Sequence, residues 1–176
     1  MITMNQAITI KKLTLAMWEQ YKKLRLQALA TEPQAFGASY EKESTMTDDE
    51  WKEKVTGFLT DNRSPLLLAI YNDQLVGMIQ ASFESNEKFR HIAHLFSFYI
   101  NPVYRGKHIG KLLLTAILAE IQKRRGIIKV KLNVNPNQES AVHLYESFGF
   151  NITGKSEKEI RIGNSFYDQY YMEKFL

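Results

Sequence analysis

Six residues between a strand-like run and a helix-like one carry the clearest chemical signal in the chain: R-G-K-H-I-G, residues 105–110. A diphosphate needs several aligned donors. Backbone N–H groups at a helix N-terminus supply them, and the helix dipole favours the negative charge. Gly106 and Gly110 let the main chain come close, and Arg105, Lys107 and Lys111 add cationic charge nearby. Taken alone, a glycine-bearing turn from strand to helix serves tight packing as well as anion binding. It is not a P-loop, since G-x-x-x-x-G-K-[ST] is absent, and no G-x-G-x-x-G supports a dinucleotide site. With no cysteine in the chain, a disulfide framework, a thiolate zinc site and a cysteine nucleophile are all excluded. His91, His94, His108 and His143 lie scattered, without H-E-x-x-H or a carboxylate at ligand spacing, so no metal is expected.

The elements that must position this turn are legible from periodicity. Residues 7–13 read as a first strand, and residues 15–30 as a helix with Trp18, Tyr21, Leu24, Ala28 and Leu29 near one face, ended by Pro33. Thr47 with Glu50 three residues on is a capping-box spacing that opens a second helix outside the sheet. Residues 66–71 and 75–83 are apolar runs around Asn72, Asp73 and Gln74, which fits a hairpin. Residues 92–100 form an apolar, aromatic strand stopped by Pro102. A helix over about 110–125 follows, with Leu112, Leu113, Ala116, Ile117 and Ile121 as its stripe. A strand over 127–134, a short helix over 141–148 closed by Gly149, and a hairpin of 159–162 with 166–175 around Gly163-Asn164 complete the order. By side-chain parity, His94, Phe96, Phe98 and Ile100 face one way, and Leu95, Ser97 and Tyr99 the other. The whole reads as an α/β (α+β) mixed sheet.

At 176 residues one domain is expected, and no repeat, low-complexity tract or linker divides the chain. Hydrophobic residues at 44% and charged residues at 24% exclude a disordered or fibrous chain. No apolar run reaches the length of a bilayer, and residues 1–6 lack the regions of a signal peptide, so no membrane association and a cytoplasmic location are expected. The net charge of +4 is small and its basic residues are interleaved with acidic ones, which fits a local pocket for an anionic cofactor and gives no footprint for nucleic acid.

The longer string F-Y-I-N-P-V-Y-R-G-K-H-I-G-K-L-L-L, residues 98–114, resembles the acetyl-CoA-binding motif R/Q-x-x-G-x-G/A of the GNAT superfamily of N-acetyltransferases. A-V-H-L-Y-E-S-F-G-F, residues 141–150, is similar to that family's next helix and Gly-Phe, and Y-Y-M-E-K-F-L at 170–176 is a weaker match. The middle glycine of the motif falls at His108, which either tolerates a positive φ at some cost or reaches the phosphates as an added donor.

The resemblance implies a largely antiparallel mixed sheet with a splayed parallel central strand pair flanked by helices. Residues 1–60 would carry the acceptor side, 92–150 the acetyl-CoA core and 151–176 a C-terminal hairpin. It implies acetyl-CoA as co-substrate and direct transfer of the acetyl group to a primary amine through a tetrahedral intermediate. The backbone of Phe98, Tyr99 and Ile100 would hold the pantetheine arm. The amides of Arg105, Gly106, Lys107, His108, Ile109 and Gly110, with Lys111 beside them, would hold the pyrophosphate. The family's asparagine, seven before its tyrosine, falls at Gln138 beside Asn137, and either amide could contact the cofactor. Tyr145 matches the family's acid to the leaving thiolate; an isolated tyrosine in that string would be core more often than catalytic, and the motif match reverses that balance.

A lysine-like amine is neutral only about once in 2,500 molecules at pH 7, a handicap of roughly 4.6 kcal/mol that a base can reduce. His94 falls where some members place a catalytic glutamate, and Glu84 is a reserve acting through water; both also read as surface residues flanking a strand. Asn133 replaces the glutamate of N-terminal protein acetylases, which turns the expectation towards a small-molecule amine. A protein lysine or N-terminal acetyltransferase and a non-catalytic acyl-CoA-binding module are the alternatives. Arg25, Glu32 and Phe36 could hold an acceptor's carboxylate, amine and apolar stem, or serve helix packing. A homodimer follows by analogy alone.

Overall fold

The computed structural model describes residues 7–61 and 63–176; the reading of residues 1–6 as lacking a signal peptide lies outside the described residues. Seven strands, β1 (Thr9–Lys12), β2 (Leu66–Tyr71), β3 (Gln74–Phe83), β4 (Ile92–Ile100), β5 (Lys129–Val134), β6 (Asn151–Ile162) and β7 (Ser165–Phe175), form a sheet ordered β1-β2-β3-β4-β5-β7-β6. Among the described residues only β4 and β5 run parallel. Helices α1 (Trp18–Thr31), α2 (Tyr40–Ser44) and α3 (Asp48–Thr60) lie between β1 and β2, α4 (Ile109–Gln122) follows β4, and α5 (Glu139–Ser147) follows β5.

The sheet is covered on both faces, which explains why β2 reads L-L-L-A-I-Y without polar alternation. Leu66 and Leu68 join a core with Tyr21, Leu24, Leu29, Trp51 and Val55 of α1 and α3. Leu67 and Ala69 face the opposite core, built on Ile109, Leu113, Ile117 and Ile121 of α4. The expected capping box opens α3: Thr47 Oγ1 accepts from the Glu50 amide at 3.3 Å, and Glu50 Oε2 accepts from the Thr47 amide at 2.6 Å. Asn72 and Asp73 both take left-handed φ (50° and 58°), as a two-residue hairpin turn requires. The sequence reading misses α2 and starts β6 eight residues late, at Glu159 rather than Asn151.

β4 departs from strict alternation. Its register with β3 runs Phe96↔Gln80 and then Tyr99↔Met78, three residues advanced on β4 for two on β3, with Ser97 at φ 53°. This bulge reverses side-chain parity beyond it. Phe98 and Ile100 therefore pack with Leu95 against the α4 core, while Tyr99 enters the α1–α3 core, so the expected grouping of Phe98 and Ile100 with His94 and Phe96 is overturned. The parallel pairing of β4 with β5 runs from Ile92↔Lys129 to Leu95↔Leu132 and stops at this point, whereas β5 stays paired with β7 through Val134↔Tyr170. The two parallel strands diverge from there on.

Candidate active site

The divergence opens a cleft of about 1240 Å³. One end is the turn into α4. Asn101 Oδ1 accepts from the Val103 amide at 3.1 Å, closing a single 3-10 turn over Pro102–Tyr104, and Gly106 follows at φ 78°. His108 is the N-cap of α4 at φ 60°, ψ 14°, and no side chain caps the helix. The first-turn amides of a fourteen-residue helix thus face the cleft without a side-chain acceptor, as an anion site requires. Gly110 is demanded by close approach: a Cβ there would meet Leu144 Cδ2 at 3.0 Å, Ile100 Cδ1 at 3.1 Å and Phe98 Cζ at 3.3 Å.

Of the residues singled out in this turn, Arg105, Gly106, His108, Ile109, Gly110 and Lys111 line the cleft. Lys107 does not; its ammonium lies 5.7 Å from the centre of the Tyr71 ring, on the far side of the turn. Phe98, Tyr99 and Ile100 border the cleft from β4. Asn137 and Gln138 border it from the turn before α5, shaped by buried Asn135, whose side chain accepts from the Asn137 amide at 2.8 Å and whose carbonyl accepts from the Gln138 amide at 3.0 Å. Asn135 escapes the sequence reading, although N-P-N is an Asx-turn signal.

Tyr145 lines the cleft from α5. It is 5% exposed, its ring held between Phe98 and Phe150, each with its centre 5.8 Å away. Burial pushes the phenol well above its ordinary pKa, so it stays protonated and able to donate throughout the neutral and mildly alkaline range. His94 also lines the cleft, and its Nε2 lies 3.1 Å from Glu84 Oε1, so the two residues considered separately as bases form one pair. Asn133 donates from Nδ2 to Gln169 Oε1 at 3.3 Å.

The opening helices contribute differently from expectation. Glu32 lines the cleft, paired with Arg105 and accepting from Gln138 Nε2 at 3.3 Å, so it links the turn into α4 to the start of α5. Arg25 is only 8% exposed and is spent on Glu43, while Phe36 is buried beneath its guanidinium. Neither belongs to the cleft lining, which leaves the packing role for both. Among the described residues no three His, Asp or Glu side chains gather as a metal site would require.

Residues 19–150 match the family described as the acetyltransferase (GNAT) family. The chain belongs to that family. It is similar to the [Ribosomal protein bS18]-alanine N-acetyltransferase of Escherichia coli K12, 37% identical over 59 residues, which are 34% of this chain and 39% of that protein. The chain thus aligns with about two fifths of the length of this relative. A spermidine N(1)-acetyltransferase of Thermoplasma acidophilum is 29% identical over 114 residues, 62% of this chain and 67% of that protein. Among solved structures, an acetyltransferase of the GNAT family from Streptococcus pneumoniae superposes with a TM-score of 0.84 at 24% identity, over 97% of this chain and 100% of that one. The Salmonella typhimurium protein yncA, solved with its cofactor acetyl-CoA, superposes with a TM-score of 0.81 at 18% identity, over 96% and 94%. These likenesses establish the fold of the GNAT chain described above.

The left-handed backbone of His108 settles where a glycine substitution acts. A non-glycine residue there costs about 1–2 kcal/mol, and the extra freedom of an unfolded glycine offsets about 0.5–1 kcal/mol of the relief. His108→Gly is therefore expected to raise the melting temperature by about 2 °C. Coenzyme A affinity measured on the same variant by calorimetry isolates any phosphate contact, because the strain is already present without ligand. An unchanged affinity removes the imidazole from the phosphate site.

Proposed function

We propose that this chain is an acetyl-CoA-dependent N-acetyltransferase acting on a primary amine of a small molecule. The observation that carries the reading is the union, in one cleft, of a diverging parallel strand pair, an uncapped helix N-terminus and a buried, protonated tyrosine. The α4 amides with Arg105 and Lys111 suit the pyrophosphate. The backbone of Phe98, Tyr99 and Ile100, unpaired with β5, suits the amide-bearing pantetheine arm. The amine nitrogen attacks the thioester carbonyl to form a tetrahedral intermediate, the carbon–sulfur bond breaks, Tyr145 gives its proton to the departing thiolate, and the proton shed by the new amide nitrogen returns to the phenol. His94, paired with Glu84, lies at the acceptor end and takes the ammonium proton, directly or through water.

For the acceptor, Asn133 in place of a carboxylate and the likeness to a spermidine acetyltransferase support a small molecule. The likeness to a ribosomal-protein acetylase supplies the competing reading, a protein substrate. Thiol release from acetyl-CoA, followed over a panel of free amines and peptides, decides between them. The expected result is turnover with free amines, polyamines included, and none with peptides. Turnover confined to peptides rejects the small-molecule acceptor, and tight coenzyme A binding with no turnover on any amine rejects the enzyme.

A further inference from the structure

The geometry points to Arg25 as a positioning residue that locks the β4 bulge, and through it the wall of the cleft, from the α1 side of the sheet. Arg25 takes no part in the cleft itself, yet every side of its guanidinium is engaged. Nε and Nη2 donate to the two carboxylate oxygens of Glu43, each at 3.1 Å, in a two-pronged fork. The face of the group lies 5.1 Å from the centre of the Phe36 ring, which in turn packs against Tyr99 at 6.4 Å. The remaining nitrogen, Nη1, donates to Ser97 Oγ at 3.3 Å. Ser97 is the bulged residue with φ 53°, 72 residues away in sequence. Glu43 is held from its other side by Lys54, at 2.8 Å, so the fork cannot swing without breaking a second ion pair.

This arrangement places a rigid cation behind the one residue whose backbone decides where β4 leaves β5. A bulge in which a non-glycine residue takes a left-handed φ persists when its surroundings over-determine it. Here the hydroxyl is held on the α1 side, which commits Phe98 and Ile100 to the α4 side and Tyr99 to the α1 side. If the clamp slackens, the Phe98, Tyr99 and Ile100 main-chain groups beside the gap lose their aim, and displacements of about 1 Å at such groups cost up to about 10²-fold in rate. The kinetic part rests on the acetyltransferase reading above; the mechanical part does not.

Ser97→Ala removes the acceptor of Arg25 Nη1 while leaving the Arg25–Glu43 fork intact. It is expected to keep the melting temperature within about 3 °C of the parent, to speed hydrogen exchange in the segment covering Ile92–Ile100, and to lower kcat about tenfold with little change in the KM for acetyl-CoA. Ser97→Asn, which tolerates a left-handed φ and restores an oxygen acceptor, is expected to recover most of both. Unchanged exchange in Ser97→Ala overturns the clamp, as does an Asn variant no better than the Ala one. Should Ser97→Ala fail to fold, Arg25→Lys gives the same reading, since it keeps the charge beside Glu43 but cannot fork to both partners: faster exchange supports the clamp and parental exchange rejects it. If the parent turns over no amine, the acetyltransferase reading falls, and the exchange results still decide the clamp.

Discussion

Tyr145→Phe is expected to lower turnover with acetyl-CoA by about 10²–10⁴-fold, the range typical of a positioned general acid, while the dissociation constant for coenzyme A moves by less than about threefold. Phenylalanine fits the slot between Phe98 and Phe150 without its hydroxyl, so the ring, the aromatic contacts and the fold persist. On the proposed mechanism, what disappears is the proton for the leaving thiolate. Because burial pushes the phenol upward, the parent's rate is not expected to fall through Tyr145 ionisation between about pH 7 and 10, and an alkaline limb in that window belongs to another group. Stopped-flow thiol release on both proteins, with coenzyme A binding measured by calorimetry, checks the pair of expectations. A Phe variant that turns over at the parental rate takes Tyr145 out of the mechanism.

The second large effect is on stability. Glu43 is 6% exposed and answers both Arg25 and Lys54, so Glu43→Ala leaves two buried or half-buried cations without their carboxylate. Removing one partner of a buried pair costs about 3–5 kcal/mol, which for a chain of this size lowers the melting temperature by about 10 °C. The pH dependence has a definite sign. Burial pushes the Glu43 carboxyl up, but hydrogen bonds from Arg25 and Lys54 outweigh it and hold the group below the ordinary carboxylate range. A depressed carboxylate contributes its stabilisation in full above its unfolded pKa of about 4.3 and loses it as pH falls through the folded value. The difference in melting temperature between the parent and Glu43→Gln is therefore expected to be widest near neutrality and to shrink in acid. A difference that grows in acid contradicts the pairing.

How much of this was legible in the residues depends on how local the cause is. The turn at 105–110, the Thr47–Glu50 capping box, the Asn72-Asp73 hairpin and the Tyr145 helix each declare themselves within a few residues, because helix starts and tight turns are decided by neighbouring side chains. The Ser97 bulge does not, since a strand's parity changes only when its register against another strand slips, and that register is a property of β3 as much as of β4. Glu32 reads in the sequence as a holder of the acceptor's amine or as a packing residue, and its link to Arg105 and Gln138 stays hidden because they lie 73 and 106 residues away. The five residues of α2 are too short to show a helical period, and Glu43, the reason they fold there, is tied to α1 and α3. The start of β6, N-I-T-G-K-S-E-K-E, alternates too weakly between polar and apolar to read as a strand, and its pairing with β7 supplies what its composition lacks.

The parting of β4 from β5 also changes what the sheet exposes to other chains. Every open sheet has two rims, here β1 and β6, where unpaired main-chain groups invite foreign strands. This sheet has a third rim in its interior, along the last residues of β4. It is walled by Gln34, Ala35 and Gly37 on one side and by α5 on the other. A second protein would have to bring a whole strand, with neighbours, past these walls, whereas on the proposed function a single thin molecule carrying amide groups enters alone. The same geometry that builds the site would thus spare the protein an adhesive seam, and on the proposed function the pantetheine arm takes the place of the missing strand of the sheet.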